Sequence, residues 1–458
     1  MVLDKVLERF VEQAPVCVAV RVLLEAALDP AALDRLFAEV ADRQYQRTLL
    51  FSTCVDLMGL VVSRTHRSVN AAYQASSEEV GVSIKALYDK LSQIEVETSA
   101  MLVRDVAGRL APIIDQMQGT NPPLLKGFRV KILDGNHLGK SQRRLKVLRD
   151  VAAGPLPGQS LAVLDPERGL VVDIVCCEDG HAQERSYVEH VLARFEPKDL
   201  ILADRNFCTT NILFAIAGRA AKFLIRQHAS TLTYAPVGDE RLIGRCDAGL
   251  LWEQLLELHH PEGRTLMVRQ ITLHLDRPTR DGETEIRLLT NLTSREASAA
   301  RVAELYLHRW SIEGLFQTLT SVLKCEVNTL GYPQAALFAF CVAVTTYNVY
   351  ATVKASLRAV HGAEQVEQEV SEFFLADEVS GTYRGLEIAV PDRIWQPFRT
   401  ATIEQLAATL LHLARQMKLP RYKKSPRSPK QHKPRRTRFA KSKHIATSQL
   451  LNPKIRSE

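Results

Sequence analysis

Cysteine pairs are missing from this chain. Its eight cysteines, at 17, 54, 176, 177, 208, 246, 325 and 341, form no CxxC spacing, which excludes the common zinc-binding motifs. They sit in apolar runs and read as small core residues of a reducing cytoplasm. A signal peptide is missing too. The first residues, "MVLDKVLERF", mix acids and bases and lack an apolar run, so a cytoplasmic, nucleoid-associated protein is expected. Long hydrophobic runs are nearly absent. The one candidate, "AALFAFCVAVTTYNVYATV" at 335–353, almost spans a bilayer in length but carries Thr345, Thr346, Asn348 and Tyr350. It is expected to be a buried core helix, with no membrane partner. Acids, finally, are nearly absent from the C-terminal end. Residues 405–458 hold 15 Lys+Arg and one acid, a net +14, whereas the whole chain carries +7. The other residues therefore sum to −7, and the basic character belongs to "RYKKSPRSPKQHKPRRTRFAKSKH" (421–444). Such a segment cannot bury a core and suits the phosphates of nucleic acid.

What is present is the composition of a globular protein, 46% hydrophobic and 24% charged over 458 residues. That length suggests about two to four domains. Residues 1–120 read as an all-helical N-terminal domain. "DPAALDRLFAEVADRQYQ" opens with a cap at Asp29 and Pro30 at the first helical position. "NPPLLKG" (121–127) breaks the pattern. Strands are then expected at 128–138, 159–165, 169–180, 199–207 and 222–228, with helices at 182–195 and 209–218. Three strands followed by alternating helix and strand describe an α/β mixed sheet flanked by helices, first part 121–229. Residues 230–283 read as a β-rich insertion, and 284–360 as the second part of the core, its helix capped at Ser294. A C-terminal helical region (361–415) and a basic, disordered tail (416–458) complete the expected organisation.

Two strands end in an aspartate: "VKILDGN" with Asp134 and "LILADRN" with Asp204. Polar residues at strand ends of α/β sheets line the functional crevice, although an aspartate there can also form a turn. A third acid, Glu313, stands on "YLHRWSIEGLFQTLTSVLK" (306–324). At about 100° per residue, Tyr306, Arg309, Glu313, Gln317, Thr320 and Lys324 share one stripe. Ile312, Phe316, Leu319 and Leu323 form an apolar one beside it. Trp310 flanks the polar stripe, placed to stack on a base. The plain alternative is a solvated face with an Arg309–Glu313 pair. Asp165, Asp173, Glu178 and Asp179 read as turn or strand-edge residues and His137 as packing. Glu326 is a rival third acid, but lies about 140° around the helix from Glu313. Asn136 and Arg205 are candidate supporting groups.

Asp134, Asp204 and Glu313 resemble the catalytic acids of a DDE transposase with an RNase H-like fold. "YLHRWSIE" further resembles the insertion-sequence transposases with the Tyr-Arg-Glu-Lys (YREK) signature. Tyr306, Arg309 and Glu313 match that spacing; the signature lysine falls at Thr320, and Lys324 lies one turn beyond. The resemblance covers about 128–360. It implies that the three acids hold two Mg²⁺ (or Mn²⁺) ions, about 4 Å apart, for cleavage of transposon ends and strand transfer by a 3′-hydroxyl. It implies phosphate contacts from Tyr306, Arg309 and Lys324, a role for Trp310 in any hairpin intermediate, and DNA-end recognition in the N-terminal domain. Double-stranded DNA is the implied partner, with a homodimer in the DNA complex. Two rival readings are a catalytically inactive transposase-derived DNA-binding protein and an RNase H-like nuclease that cleaves without joining.

Overall fold

The computed structural model describes residues 4–44, 47–139, 147, 155–228, 232–279, 282–425 and 445–451. The chain begins with helices that include α1 (Pro15–Ala27), α2 (Pro30–Val40), α3 (Phe51–Val62) and α4 (Val96–Met117). Asp29 caps α2 as expected, its carboxylate accepting from the Ala32 N–H, with Pro30 at the first helical position. After Phe128 the side-chain period changes to two, and the chain forms β1 (Arg129–Leu138), β2 (Gly158–Asp165) and β3 (Leu170–Cys177). Next come α5 (Val188–Leu192), β4 (Asp199–Ala203), α6 (Thr210–Gly218) and β5 (Lys222–Arg226). Four further strands follow: β6 (Tyr234–Cys246), β7 (Gly249–His259), β8 (Thr265–Leu275) and β9 (Glu285–Thr290). The helices that follow include α7 (Ala299–Leu307), α8 (Ser311–Ser321), α9 (Pro333–His361), α10 (Glu372–Ala389) and α11 (Ile403–Gln416), and a short strand (Ile445–Ala446) and helix (Thr447–Leu451) lie beyond them.

One mixed sheet of nine strands runs in the order β3-β2-β1-β4-β5-β9-β8-β7-β6. β1 pairs antiparallel with β2 and parallel with β4; β4 pairs parallel with β5. That is the strand order of an RNase H-like core. The segment 230–283 does not stand apart. Its strands β6, β7 and β8 prolong the core sheet through β9, which pairs with both β8 and β5.

Both faces of the core strands are covered, which is why these strands read as apolar runs. Val130 and Ile132 of β1 face a large core shared with α3, α4, α8 and α9, while Leu133 faces a second core beneath α5 and α6. The first core also contains apolar residues of α1, α10 and α11, so the N-terminal and C-terminal helices share it. At its centre lies α9, long and apolar enough to cross a membrane yet 94% buried in its most apolar window. Its polar residues have interior partners. Asn348 donates to the Val171 carbonyl and accepts from the Val171 N–H, both at 2.9 Å, and so satisfies the backbone of edge strand β3. Thr345 and Thr346 donate to carbonyls one turn back.

Three local expectations need correction. Residues 182–195 do not form one amphipathic helix: Tyr187 leaves helical geometry (φ −119°) between a 3₁₀ turn at Glu184–Ser186 and the short α5. Ser294 does not cap the helix before Tyr306. Thr293 and Glu296 form their own turn, and Ser298 is the cap, accepting from the Arg301 N–H. His137 is exposed on β1 rather than packed. The tail expected to be disordered over 416–458 is ordered where it is described: Leu419–Tyr422 form a 3₁₀ turn with Tyr422 buried and bonded to Glu378, and Ile445–Ala446 pair with Pro155–Leu156; 426–444 and 452–458 lie outside the described residues.

Candidate active site

The register of the sheet builds the first half of the site. β1 and β4 run parallel, with Leu133 opposite Ala203 as their last pair. The next residue on each strand is an aspartate, so Asp134 and Asp204 stand side by side where β4 ends. Beyond this point β1 continues to Leu138 with β2 alone, so both aspartates stand at the carboxyl ends of the parallel strands, where α/β sheets commonly place functional residues. Asp204 also caps a 3₁₀ turn, Oδ1 accepting from the Asn206 N–H at 2.8 Å. The turn role and the strand-end position therefore coexist.

The second half comes from α7 and α8, which are not one continuous helix. A 3₁₀ turn at His308–Trp310 joins them. On that turn the Arg309 guanidinium reaches across, Nη1 donating to Asp134 Oδ2 (3.1 Å) and Nη2 to Glu313 Oε1 (2.7 Å). One buried cation therefore connects a strand aspartate to the helix glutamate. Tyr306 is 5% exposed and Arg309 8%, whereas Trp310 is 44% exposed. The Arg309 guanidinium lies over the Trp310 ring, 5.4 Å from its centre, and Tyr306 meets that ring edge-on at 6.1 Å.

The electrostatics follow from this crowding. Burial first, then the nearby Asp204 charge, push the Asp134 carboxyl up to about 7 against the opposing pull of Arg309. Burial also raises Asp204. Burial lifts the Tyr306 phenol to about 12, with the Asp204 charge adding to it and Arg309 opposing.

Two residues expected to contact phosphate have partners within the protein. Tyr306 is buried against Arg309 and Trp310, because α7 turns its Leu305–Tyr306 side into the core. Lys324 does not continue the Glu313 stripe: α8 ends at Ser321, and the Lys324 Nζ donates to the Arg67 carbonyl (2.5 Å) and its N–H to the Val62 carbonyl. Thr320 spends its hydroxyl on the Phe316 and Gln317 carbonyls. Glu326 accepts from the Gly139 N–H, beyond the far end of β1. Arg205 pairs with Glu283, as does Arg226.

A fourth carboxylate at this edge escaped the sequence reading. Glu184, on the turn after β3, lies in the space a Cβ at Gly135 would fill. The signal was the glycine itself: inside a strand and directly after Asp134, it marks a close approach.

An all-oxygen donor set suits Mg²⁺ or Mn²⁺ and not zinc. Among the described residues no three His, Cys, Asp or Glu side chains are gathered closely enough for one ion. Arg309 supplies the positive charge between Asp134 and Glu313.

Two aspartates thus stand at adjacent strand ends, and Arg309 joins one of them to a glutamate carried by a helix across the face. Residues 159–349 match the family model described as a transposase DDE domain. This part of the chain, which holds Asp204 and Glu313, is thus similar to DDE transposases; Asp134 precedes the match and is joined to it by the β1–β4 register. A cryo-EM structure of a piggyBac transposase synaptic complex with hairpin DNA shows 11% identity and a TM-score of 0.40, covering 86% of each chain. That likeness is too distant to bear on individual residues. No curated protein matches the chain.

Proposed function

We propose that this protein is an active DDE transposase, cleaving DNA strands at the ends of its element and joining the freed 3′-hydroxyl to target DNA. The observation that carries the reading is the Asp134–Asp204 adjacency at the parallel strand ends, facing Arg309 and Glu313, with Asp204 and Glu313 inside the matched DDE span. Once Arg309 releases Asp134 and Glu313, these two and Asp204 would be free to come together on two Mg²⁺ or Mn²⁺ ions. Bound there, such ions activate the attacking oxygen and stabilise the leaving one. In the metal-free protein Arg309 keeps Asp134 and Glu313 from repelling each other and holds the glutamate toward the sheet. Released from the carboxylates, its guanidinium suits a phosphate beside the scissile bond. Trp310, exposed next to it, suits stacking on an unpaired base, including one at a hairpin tip.

Double-stranded DNA is the partner in this reading, bound by a homodimer in the cytoplasm, with the basic 421–444 segment adding sequence-independent phosphate contacts. The test is incubation of the protein with Mg²⁺ and the DNA that flanks its coding sequence. Cleavage at defined ends followed by strand-transfer products is expected. Cleavage without joining would leave a nuclease, and binding without cleavage a DNA-binding derivative.

A further inference from the structure

We propose that residues 68–91 are a helix-turn-helix that reads the terminal DNA of the element from the major groove, through Lys85, Ala86 and Asp89. This deepens the transposase reading and rests on it for the choice of DNA.

Caps and one glycine build the motif. Ser68 opens the first helix (Val69–Ala75), its hydroxyl accepting from the Ala71 N–H. After a bend at Ser76 one further helical turn follows, Ser77–Val80. Gly81 ends that turn with a left-handed backbone, φ +64°, which any side chain would strain. The connection is short, Gly81 to Ser83, and the Tyr73 hydroxyl donates to the Val82 carbonyl at 2.8 Å, fastening it to the first helix. Ser83 caps the second helix (Ile84–Leu91), its hydroxyl accepting from the Ala86 N–H. Two capped helices joined by a short turn with glycine form the DNA-reading helix-turn-helix.

Burial fixes which side of the motif faces out. Val69, Ala72, Val80, Leu87 and Leu91 are buried in the large core, where α3 packs against the first helix. On the second helix Lys85, Ala86 and Asp89 are exposed. They fall within about 100° of one another, opposite Leu87 and Leu91. The second helix is thus held from behind and open in front.

The open face has the size and chemistry of a base-reading surface. With its side chains a helix is about 10–12 Å wide, and the major groove is about 12 Å wide. A lysine donates to guanine, an aspartate accepts from the cytosine amino group, and a methyl group meets that of thymine. The face carries no large apolar side chain of the kind that anchors a protein partner. Charge points the same way. Arg67, just before the first helix, and Lys85, in the first turn of the second, are both exposed, with no ion pair among the described residues. Such cations suit the phosphates that flank a groove.

An independent observation ties the motif to the proposed chemistry. The segment that leads into it is fastened to the end of α8, the helix of Glu313. The Arg64 Nη2 donates to the Ser321 carbonyl at 2.8 Å, and the Arg67 carbonyl accepts from the Lys324 Nζ at 2.5 Å. The element that reads the DNA and the helix that carries the third acid therefore share hydrogen bonds. Lys324 acts at this joint.

The experiment uses the full chain in EDTA, so that nothing is cleaved. Binding is measured to a duplex taken from the DNA that flanks the coding sequence, and to a scrambled duplex of equal composition. The wild type should prefer the flanking duplex. Lys85→Ala should lower affinity for that duplex about ten- to a hundredfold and for the scrambled one far less. Lys85→Arg keeps donors for guanine and should retain most of the preference. Asp89→Ala should relax the preference at a single base pair. Methylation of guanine N7, which lies in the major groove, should block wild-type binding at defined guanines, and one of these should cease to matter in Lys85→Ala. Both side chains are exposed, so the variants should melt with the wild type. If Lys85→Ala and Asp89→Ala keep the wild-type preference and methylation pattern, this proposal falls and the transposase reading stands. Equal losses on both duplexes in Lys85→Ala would make Lys85 a phosphate contact and overturn base reading by this helix. No preference in the wild type would overturn recognition of element ends, and this motif with it.

Discussion

Asp134 and Asp204 differ from Glu313 in what holds them. The aspartates belong to a hydrogen-bonded ladder: β1 and β4 pair over five residues up to Leu133 and Ala203, and a one-residue slip would turn every side chain to the other face. Glu313 belongs to a helix that follows a 3₁₀ turn, with its side chain half exposed and tied by the Arg309 guanidinium. Backbone pairing makes a position rigid. A single side-chain tether makes one that can be released. The aspartates therefore form the fixed side of the site and Glu313 the adjustable side, a division that suits the proposed transposase, whose DNA would enter before the site closes.

The largest test removes a fixed acid. Asp134→Asn or Asp204→Asn should lower DNA cleavage in Mg²⁺ on the order of a thousandfold, equivalent to about 4 kcal/mol, with DNA binding kept. Gel assays of cleavage and retardation measure both, and near-normal cleavage by either variant would remove that residue from the chemistry.

Next in size is the tether. Arg309→Ala leaves Asp134 buried without its counter-ion and should cost about 3 kcal/mol in urea unfolding at pH 8. A loss no larger than that of an exposed ion pair would mean that Glu313 is not bound to the fixed side through Arg309.

A smaller effect concerns pH. The Asp134 carboxyl, at about 7 in the folded protein, binds its proton more tightly there than in the unfolded chain, where about 3.9 is usual. Its contribution to stability is thus fully present below pH 4 and is lost as pH rises to 7. The carboxamide of the Asp134→Asn variant cannot ionise. In metal-free buffer the stability of that variant relative to wild type should improve by on the order of 1–2 kcal/mol from pH 5 to pH 8. A pH-independent difference would show that the aspartate is not held in a desolvated position.

Two small effects close the series. Lys324→Ala should cost about 1 kcal/mol through the lost bond to the Arg67 carbonyl, with DNA affinity and its salt slope unchanged. A flatter slope would return Lys324 to the phosphate contacts. Glu313→Gln should change stability by less than about 0.5 kcal/mol, since the i,i+4 pair is half exposed, even though cleavage falls. A large stability loss would make Glu313 part of the fixed side.

The sequence marked the strand ends well, because a short, mostly apolar strand followed by aspartate is a local pattern: Val130, Ile132 and Leu133 before Asp134, and Leu200–Ala203 before Asp204. It also identified the core helix α9, whose apolar surface covers every side. It did less well where a position depended on chain geometry between elements. The polar stripe from Tyr306 to Lys324 assumed one straight helix, and the 3₁₀ turn at Arg309 with the end of α8 at Ser321 broke it. Asn348 looked like an interruption of an apolar run, and only the pairing with Val171 explains it.

Residue types and periods alone determined which segments are strands, which helix is buried, and that three acids are candidates for one site. Those are properties of short stretches, fixed by side-chain alternation and by the burial of apolar groups. Tertiary structure alone decided that Asp134 and Asp204 are neighbours, since 70 residues separate them and only the parallel register joins them. It decided that Arg309 links Asp134 to Glu313 while Lys324 serves the Arg67 backbone. It also brought Glu184 to Gly135, because a missing Cβ acquires its meaning only from the side chain that fills its place.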